Sequence, residues 1–185
     1  VENLVEADGL RLRRAVKEDV ERLWEICRGQ TAEEFCLWGA DLVYEYPPRL
    51  EQMRRRFEAL FGDAVLFAAE CGGQVVGFAE IGELDPAEKC GVLARVLLEK
   101  GRRGKGRGKE LVNLVLDQAA GTLGLEEVKL IVYAGNLRAQ RCYEACGFVR
   151  GKALLRPGRP DAWWMRADLR ERRGGSQPSQ RLKGV

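Results

Sequence analysis

Six of the ten residues from Lys100 to Lys109 are lysine or arginine, and no acid interrupts them. Glycines alternate with the charges in Arg103-Gly104-Lys105-Gly106-Arg107-Gly108. An apolar run precedes this turn and a helical pattern follows it. That placement suits one kind of chemistry, the holding of phosphate. Backbone N–H groups at the start of a helix point toward an anion, and the helix dipole adds partial positive charge at the same place. Glycine is needed where the backbone itself must touch phosphate, because a Cβ would hold it away. Lys105, Arg107 and Lys109 add charge around it. Three phosphate patterns compete. A P-loop requires G-x-x-x-x-G-K-[ST], but Gly108-Lys109 is followed by Glu110, and Arg103 stands where the first glycine belongs. A dinucleotide fingerprint requires G-x-G-x-x-G, and Lys109 occupies its last position. Both fail. The third, R-x-x-G-x-G, is met by Arg103, Gly106 and Gly108. Read as residues alone, the turn also admits a solvated basic loop or an Arg/Gly-rich nucleic-acid patch.

A second constellation lies downstream. After the apolar run Val128–Tyr133 comes Asn136-Leu137-Arg138-Ala139-Gln140-Arg141-Cys142-Tyr143-Glu144-Ala145-Cys146-Gly147-Phe148. Turn and segment together, one helix and one strand apart, resemble the GNAT superfamily of acyl-CoA-dependent N-acyltransferases. That family carries R-x-x-G-x-G followed by N-x-x-A-x-x-x-Y-x-x-x-G-F. The opening Arg13-Arg14-Ala15-Val16-Lys17-Glu18-Asp19 and the hairpin Ala69 to Ala79, with Val76-Gly77-Phe78, are similar to the family's early strands and first helix. The resemblance covers roughly residues 10–168.

The resemblance implies an N-acetyltransferase that moves an acetyl group from acetyl-CoA to a primary amine by direct attack in a ternary complex, without a metal. It implies that the turn, Arg103 to Lys109, holds the pyrophosphate. Main-chain groups of Val96, Leu97 and Leu98 would pair with the pantetheine arm, and an N–H there would hold the oxyanion. Asn136 would bond the same arm, or cap the helix that follows it. Tyr143 would protonate the departing CoA thiolate, or serve as a core aromatic. The incoming amine must lose a proton, and a chain without histidine leaves a carboxylate, a water chain or solvent as base. Family members often place a Glu on the fourth strand; Val92 to Leu98 contains none, so Glu80, Glu83 and Asp85 are the nearest candidates.

Acceptor choice is expected from the segment between the first two helices. There Trp38, Tyr44 and Tyr46 accompany Glu33, Glu34, Asp41 and Glu45, a patch suited to a cationic small molecule or peptide, or to packing and surface. Two other classes stand beside the enzyme: a non-catalytic acyl-CoA sensor, and a nucleic-acid binder using Lys100 to Lys109 with the basic tail. A homodimer is an open possibility.

These residues need elements to position them. Leu10 to Ala15 reads as a strand, followed by a helix with Val20, Leu23, Trp24 and Cys27 on one face. Thr31 to Pro48 reads as irregular. A second helix runs from Leu50 to Phe61, with Met53, Phe57, Leu60 and Phe61 inward. Val65–Glu70 and Val75–Ile81 form a hairpin around Gly72-Gly73. A polar loop Gly82–Lys89 leads to a strand Val92–Leu98, then the turn and a helix carrying Leu111, Leu114, Val115 and Gln118. Val128–Tyr133 is a strand covered on both faces. A short helix to Cys146 and strands Phe148–Leu155 and Ala162–Ala167 complete the pattern. The fold class is mixed α/β with about four helices and a mostly antiparallel sheet, its fourth and fifth strands a parallel, splayed pair. The domain spans 1–169, and 170–185 reads as a disordered basic tail.

At 185 residues, 45% hydrophobic and 32% charged, the chain can bury one proper core. A net charge of +3 does not by itself indicate nucleic acid. No apolar run approaches a membrane span and no secretory leader is visible, so a cytoplasmic protein is expected. Six cysteines without a C-x-x-C pair, and no histidine, make zinc improbable and fit free thiols in a reducing compartment.

Overall fold

The computed structural model describes residues 9–60, 64–155 and 157–174. Strand β1 (Arg11–Arg14) leads into helix α1 (Asp19–Arg28), whose start is fixed by Asp19. The Asp19 carboxylate accepts from the Val16 N–H and from both terminal nitrogens of Arg13. Val20, Leu23, Ile26 and Cys27 are buried along one face, while Trp24 stays half-buried and donates to the Pro48 carbonyl.

The segment expected to be irregular is not. Thr31 closes a capping box with Glu34, which starts helix α2 (Ala32–Leu37), and a 3-10 turn follows at Ala40–Leu42. The box was present in the sequence as T-x-x-E, but only six helical residues follow it, too few for a clear apolar period. The count among the described residues therefore rises to five α-helices. Helix α3 (Leu50–Ala59) buries Met53; Phe61, expected on its inward face, lies outside the described residues.

Strands β2 (Ala64–Cys71) and β3 (Gln74–Asp85) turn at Gly72-Gly73, both at positive φ. The expected polar loop begins late, because β3 continues to Asp85 and pairs there with Cys90 of β4 (Cys90–Leu98). After the basic turn come α4 (Arg107–Gly121), β5 (Glu127–Tyr133), α5 (Leu137–Glu144), β6 (Val149–Leu154) and β7 (Ala162–Asp168). The sheet order is β1-β2-β3-β4-β5-β7-β6; β4 and β5 are parallel and the other neighbours antiparallel. Residues 170–174, expected to begin a disordered tail, form a 3-10 turn. Arg172 ties it to Asp117, Asn113 and the Cys146 carbonyl.

Two apolar cores flank the sheet. One joins α4 to the strands through Leu111, Val115, Leu116, Leu93, Val128 and Leu130. The other joins α1, α2 and α3 through Val20, Leu23, Phe35, Met53, Phe78 and Leu97. Leu93 and Leu97 are four apart and would share a face of a regular strand. They lie in opposite cores because β4 bulges. Arg95 and Val96 together oppose Ala79, with Arg95 at φ 52°, and the extra residue reverses the alternation. Leu98 thereby returns to the α4 side. Gly77, opposite Leu98, leaves no room for a side chain, since a Cβ there would stand 2.6 Å from the Leu97 carbonyl oxygen.

Candidate active site

The parallel pairing of β4 with β5 covers only Cys90, Gly91 and Val92 against Glu127, Val128 and Lys129. Beyond those residues the strands separate, and a cleft of about 510 Å³ opens between them. Val96, Leu97 and Leu98 line it from β4, and Ile131, Val132 and Tyr133 from β5. At its far end stands the glycine-rich turn. Gly104, Lys105 and Gly106 all have positive φ (92°, 48° and 79°), and Gly106 is the N-cap of α4. This backbone leaves the N–H groups of Gly106, Gly108 and Lys109 without an acceptor among the described residues, at the positive end of a fifteen-residue helix. Lys105 and Lys109 are exposed beside them, while Arg107 pairs with Glu110. Arg103 is committed differently from the flanking lysines: Nε donates to the Leu98 carbonyl and a terminal nitrogen to Glu34. It buttresses the turn against β4 and α2.

Tyr143 lines the same cleft from α5, its ring set edge-on against Phe148 with centroids 5.6 Å apart. Burial, with smaller contributions from Cys142 and Cys146, pushes its hydroxyl above the usual tyrosine value, so it holds its proton at neutral pH. The hydroxyl has no hydrogen-bond partner among the described residues. Asn136 also lines the cleft, and its side chain caps α5 by accepting from the Ala139 N–H, while its amide donates to the Leu37 carbonyl. Cys142 lies under the turn, its sulfur 3.4 Å from where a Cβ on Gly108 would stand. The Cys146 thiol beside it and the charges of Arg138 and Lys109 outweigh burial and hold the Cys142 thiol below its usual value. All six cysteines are free; Cys27, Cys71 and Cys146 are buried and Cys36 is exposed.

At the other end the three carboxylates separate into distinct roles. Glu80 is buried and bracketed by Arg56 and Arg95, each placing nitrogens within 3 Å of its oxygens. Burial alone would raise its pKa, but the hydrogen bonds and charges of the two guanidinium groups win and hold it below the usual range. Asp85 accepts from the Ala87 and Glu88 N–H groups and shapes a turn. Glu83 lines the cleft from a bulge in β3, at φ 48°, with no ion pair among the described residues. Of the aromatic and acidic patch, only Trp38 and Glu34 reach the cleft. Tyr44 is buried under Arg56, and Tyr46 packs on Phe35 and donates to the Gln30 carbonyl. Glu33, Asp41 and Glu45 are exposed away from it. Arg95, Arg138, Leu37, Leu42 and Ile131 line the cleft without having been singled out from sequence; only Arg95, a lone charge inside an apolar strand, carried a signal there.

A mixed sheet splayed at one parallel pair, with a glycine-rich, helix-opening turn at the end of the cleft, sets the class of fold. The model of the GNAT acetyltransferase family matches residues 21–148, and the chain belongs to that family. Among solved structures the chain is similar to spermidine N-acetyltransferase from Vibrio cholerae in complex with CoA and spermine. That match has 20% identity and TM-score 0.74, covering 86% of this chain and 95% of the other. It is similar also to AAC(6')-Ib in complex with ribostamycin and coenzyme A, at 21% identity and TM-score 0.75, covering 94% and 100%. A dodecameric form of the Vibrio cholerae enzyme matches at TM-score 0.70 and 20% identity, covering 86% and 94%. At these identities the likeness is one of fold. Among the described residues no helix is long and apolar enough to cross a membrane, and no group of acids and cysteines is arranged to hold a metal ion.

Proposed function

We propose that this chain is an N-acetyltransferase that moves an acetyl group from acetyl-CoA to a primary amine, both substrates occupying the cleft together. The observation that carries the reading is the continuity of the cleft. Turn, splayed strands, Tyr143 and Glu83 line one space of a size that suits a small ligand. The residues fit the cosubstrate. A Cβ on Gly104 or Gly106 would meet nothing within 4 Å, so the surface over the turn is open to a pyrophosphate.

Acetyl-CoA supplies a thioester open to attack by an amine. The turn N–H groups with Lys105 and Lys109 hold its phosphates, and the β4 main chain at Val96–Leu98 aligns the arm that joins them to the thioester. Asn136 acts through the start of α5, since its side chain is spent on the cap and on Leu37. Glu83, lining the cleft without an ion pair among the described residues, takes one proton from the ammonium, directly or through water, and frees the attacking lone pair. Tyr143, protonated at neutral pH, donates to the thiolate as the carbon–sulfur bond breaks, and the second proton shed by the new amide nitrogen restores it. The six free thiols fit a reducing, cytoplasmic setting. A second copy of the chain as partner is in keeping with the assembly of one structural neighbour.

Tyr143→Phe tests this directly. Loss of the proton donor should lower the single-turnover rate by about 100-fold, while CoA affinity, measured separately by calorimetry, stays within about twofold because ring packing is retained. Equal chemical rates for both proteins would reject the acid role.

A further inference from the structure

We infer that the acceptor taken by this cleft is an apolar primary monoamine, not a polycation. The inference rests on the acetyl-transfer reading and specifies its second substrate. Besides the residues of the turn, the cleft wall is built by Leu37, Trp38 and Leu42 on one side and by Val92, Ala94 and Ile131 on the sheet. Val92 and Ala94 alternate with buried Leu93, and Ile131 with buried Leu130 and Val132, so these three face away from the α4 core. Leu37, Leu42 and Ile131 are 40%, 47% and 41% exposed. Large apolar side chains scattered singly on a surface mean little, but three converging on one cleft make a surface that gains by being covered.

The charges point the same way. A ligand with several ammonium groups needs several unpaired carboxylates, and this cleft offers one. Glu34 is engaged by Lys100 and Arg103, and Glu80 by Arg56 and Arg95. Glu83 remains, without an ion pair among the described residues though within the field of Arg95, and turned into the cleft by its bulge. Counted with all their partners, the three carboxylates Glu34, Glu80 and Glu83 face five cations, Lys100, Arg103, Arg56, Arg95 and Arg138, so a second or third ammonium would be repelled. Glu83 therefore pairs with a single ammonium, and the apolar body of the amine covers the leucines, Trp38 and Ile131. Each methylene so buried is worth roughly fourfold in affinity.

CoA release is measured with propylamine, butylamine, pentylamine and hexylamine, and with spermidine and kanamycin. The expected result is kcat/KM rising roughly fourfold per added methylene, with hexylamine well above spermidine. Leu42→Asp, a change at an exposed position, should lower the hexylamine value by about tenfold or more and narrow its lead over spermidine. In parallel, hexylamine and spermidine are titrated into protein saturated with CoA. Tighter hexylamine binding upholds the acceptor class even where no CoA is released, a result that would instead sink the transfer reading. A flat chain-length series, or tighter binding of spermidine than hexylamine, overturns the proposal.

Discussion

The two ends of the cleft are made of different material. At the turn the recognition surface is backbone: N–H groups of Gly106, Gly108 and Lys109, set by three consecutive positive φ values and by the start of α4. At the acceptor end it is side chain: leucines, Trp38, Ile131 and Glu83 brought in from α2, its following turn, β3, β4 and β5. A backbone surface demands particular residues, because glycine gives the close approach and adopts the positive φ at the least steric cost. A side-chain surface demands only size and polarity, which many residues satisfy. On the proposed reading one end is therefore constrained to one chemical group, and the other is free to vary with the substrate.

The largest expected effect comes from behind the cleft wall, at the carboxylate that holds the cleft-lining Arg95. Glu80→Gln leaves Arg56 and Arg95 facing each other without their shared carboxylate, and should cost about 3–5 kcal/mol of stability in urea unfolding. The sign with pH follows from the same pairing. The Glu80 carboxyl is held below its usual range when folded, so its contribution is complete above about pH 4.3 and is lost as pH falls through the folded value. The Gln variant should lack that part of the acid transition; an acid limb identical to wild type would show that the pair contributes nothing.

The turn responds differently, in ligand affinity more than in folding. Holding a β-branched residue at the φ of 79° found at Gly106 costs about 1–3 kcal/mol, and its side chain would occupy the open surface above. Gly106→Val should weaken CoA binding by roughly tenfold or more, read by calorimetry. Arg103→Ala should weaken it less, on the order of threefold, because Arg103 is spent on Leu98 and Glu34 and the backbone donors remain. Equal losses from the two variants would mean that side-chain charge, not backbone, carries the site.

Asn136→Ala joins the two regions and should have the smallest effect. Removing the α5 cap costs about 1 kcal/mol of stability. A much larger fall in CoA affinity than in thermal stability would show that the side chain leaves its cap to bond the ligand.

Much of this was written locally in the chain. The turn from Arg103 to Gly108, the spacing from Asn136 to Tyr143 and the Gly72-Gly73 hairpin each depend on residues near one another in sequence, where glycine conformation and short-range hydrogen bonds decide the outcome. Strand positions inside apolar runs were legible for the same reason, as was the mixed sheet with its parallel β4–β5 pair. What the chain did not disclose is long-range. Glu80 meets Arg56 and Arg95 across 24 and 15 residues, so no local pattern distinguishes it from Glu83, three residues on and turned into the cleft. The bulge at Arg95 shifts Leu97 into the opposite core without any glycine or proline to announce it, because only pairing with β3 makes the extra residue necessary. Tyr44 and Tyr46 sit in the same segment as Trp38, yet one is buried under Arg56 and another packs on Phe35. Residue type set the backbone of the glycine-rich turn; the meeting of distant side chains set the rest of the cleft wall.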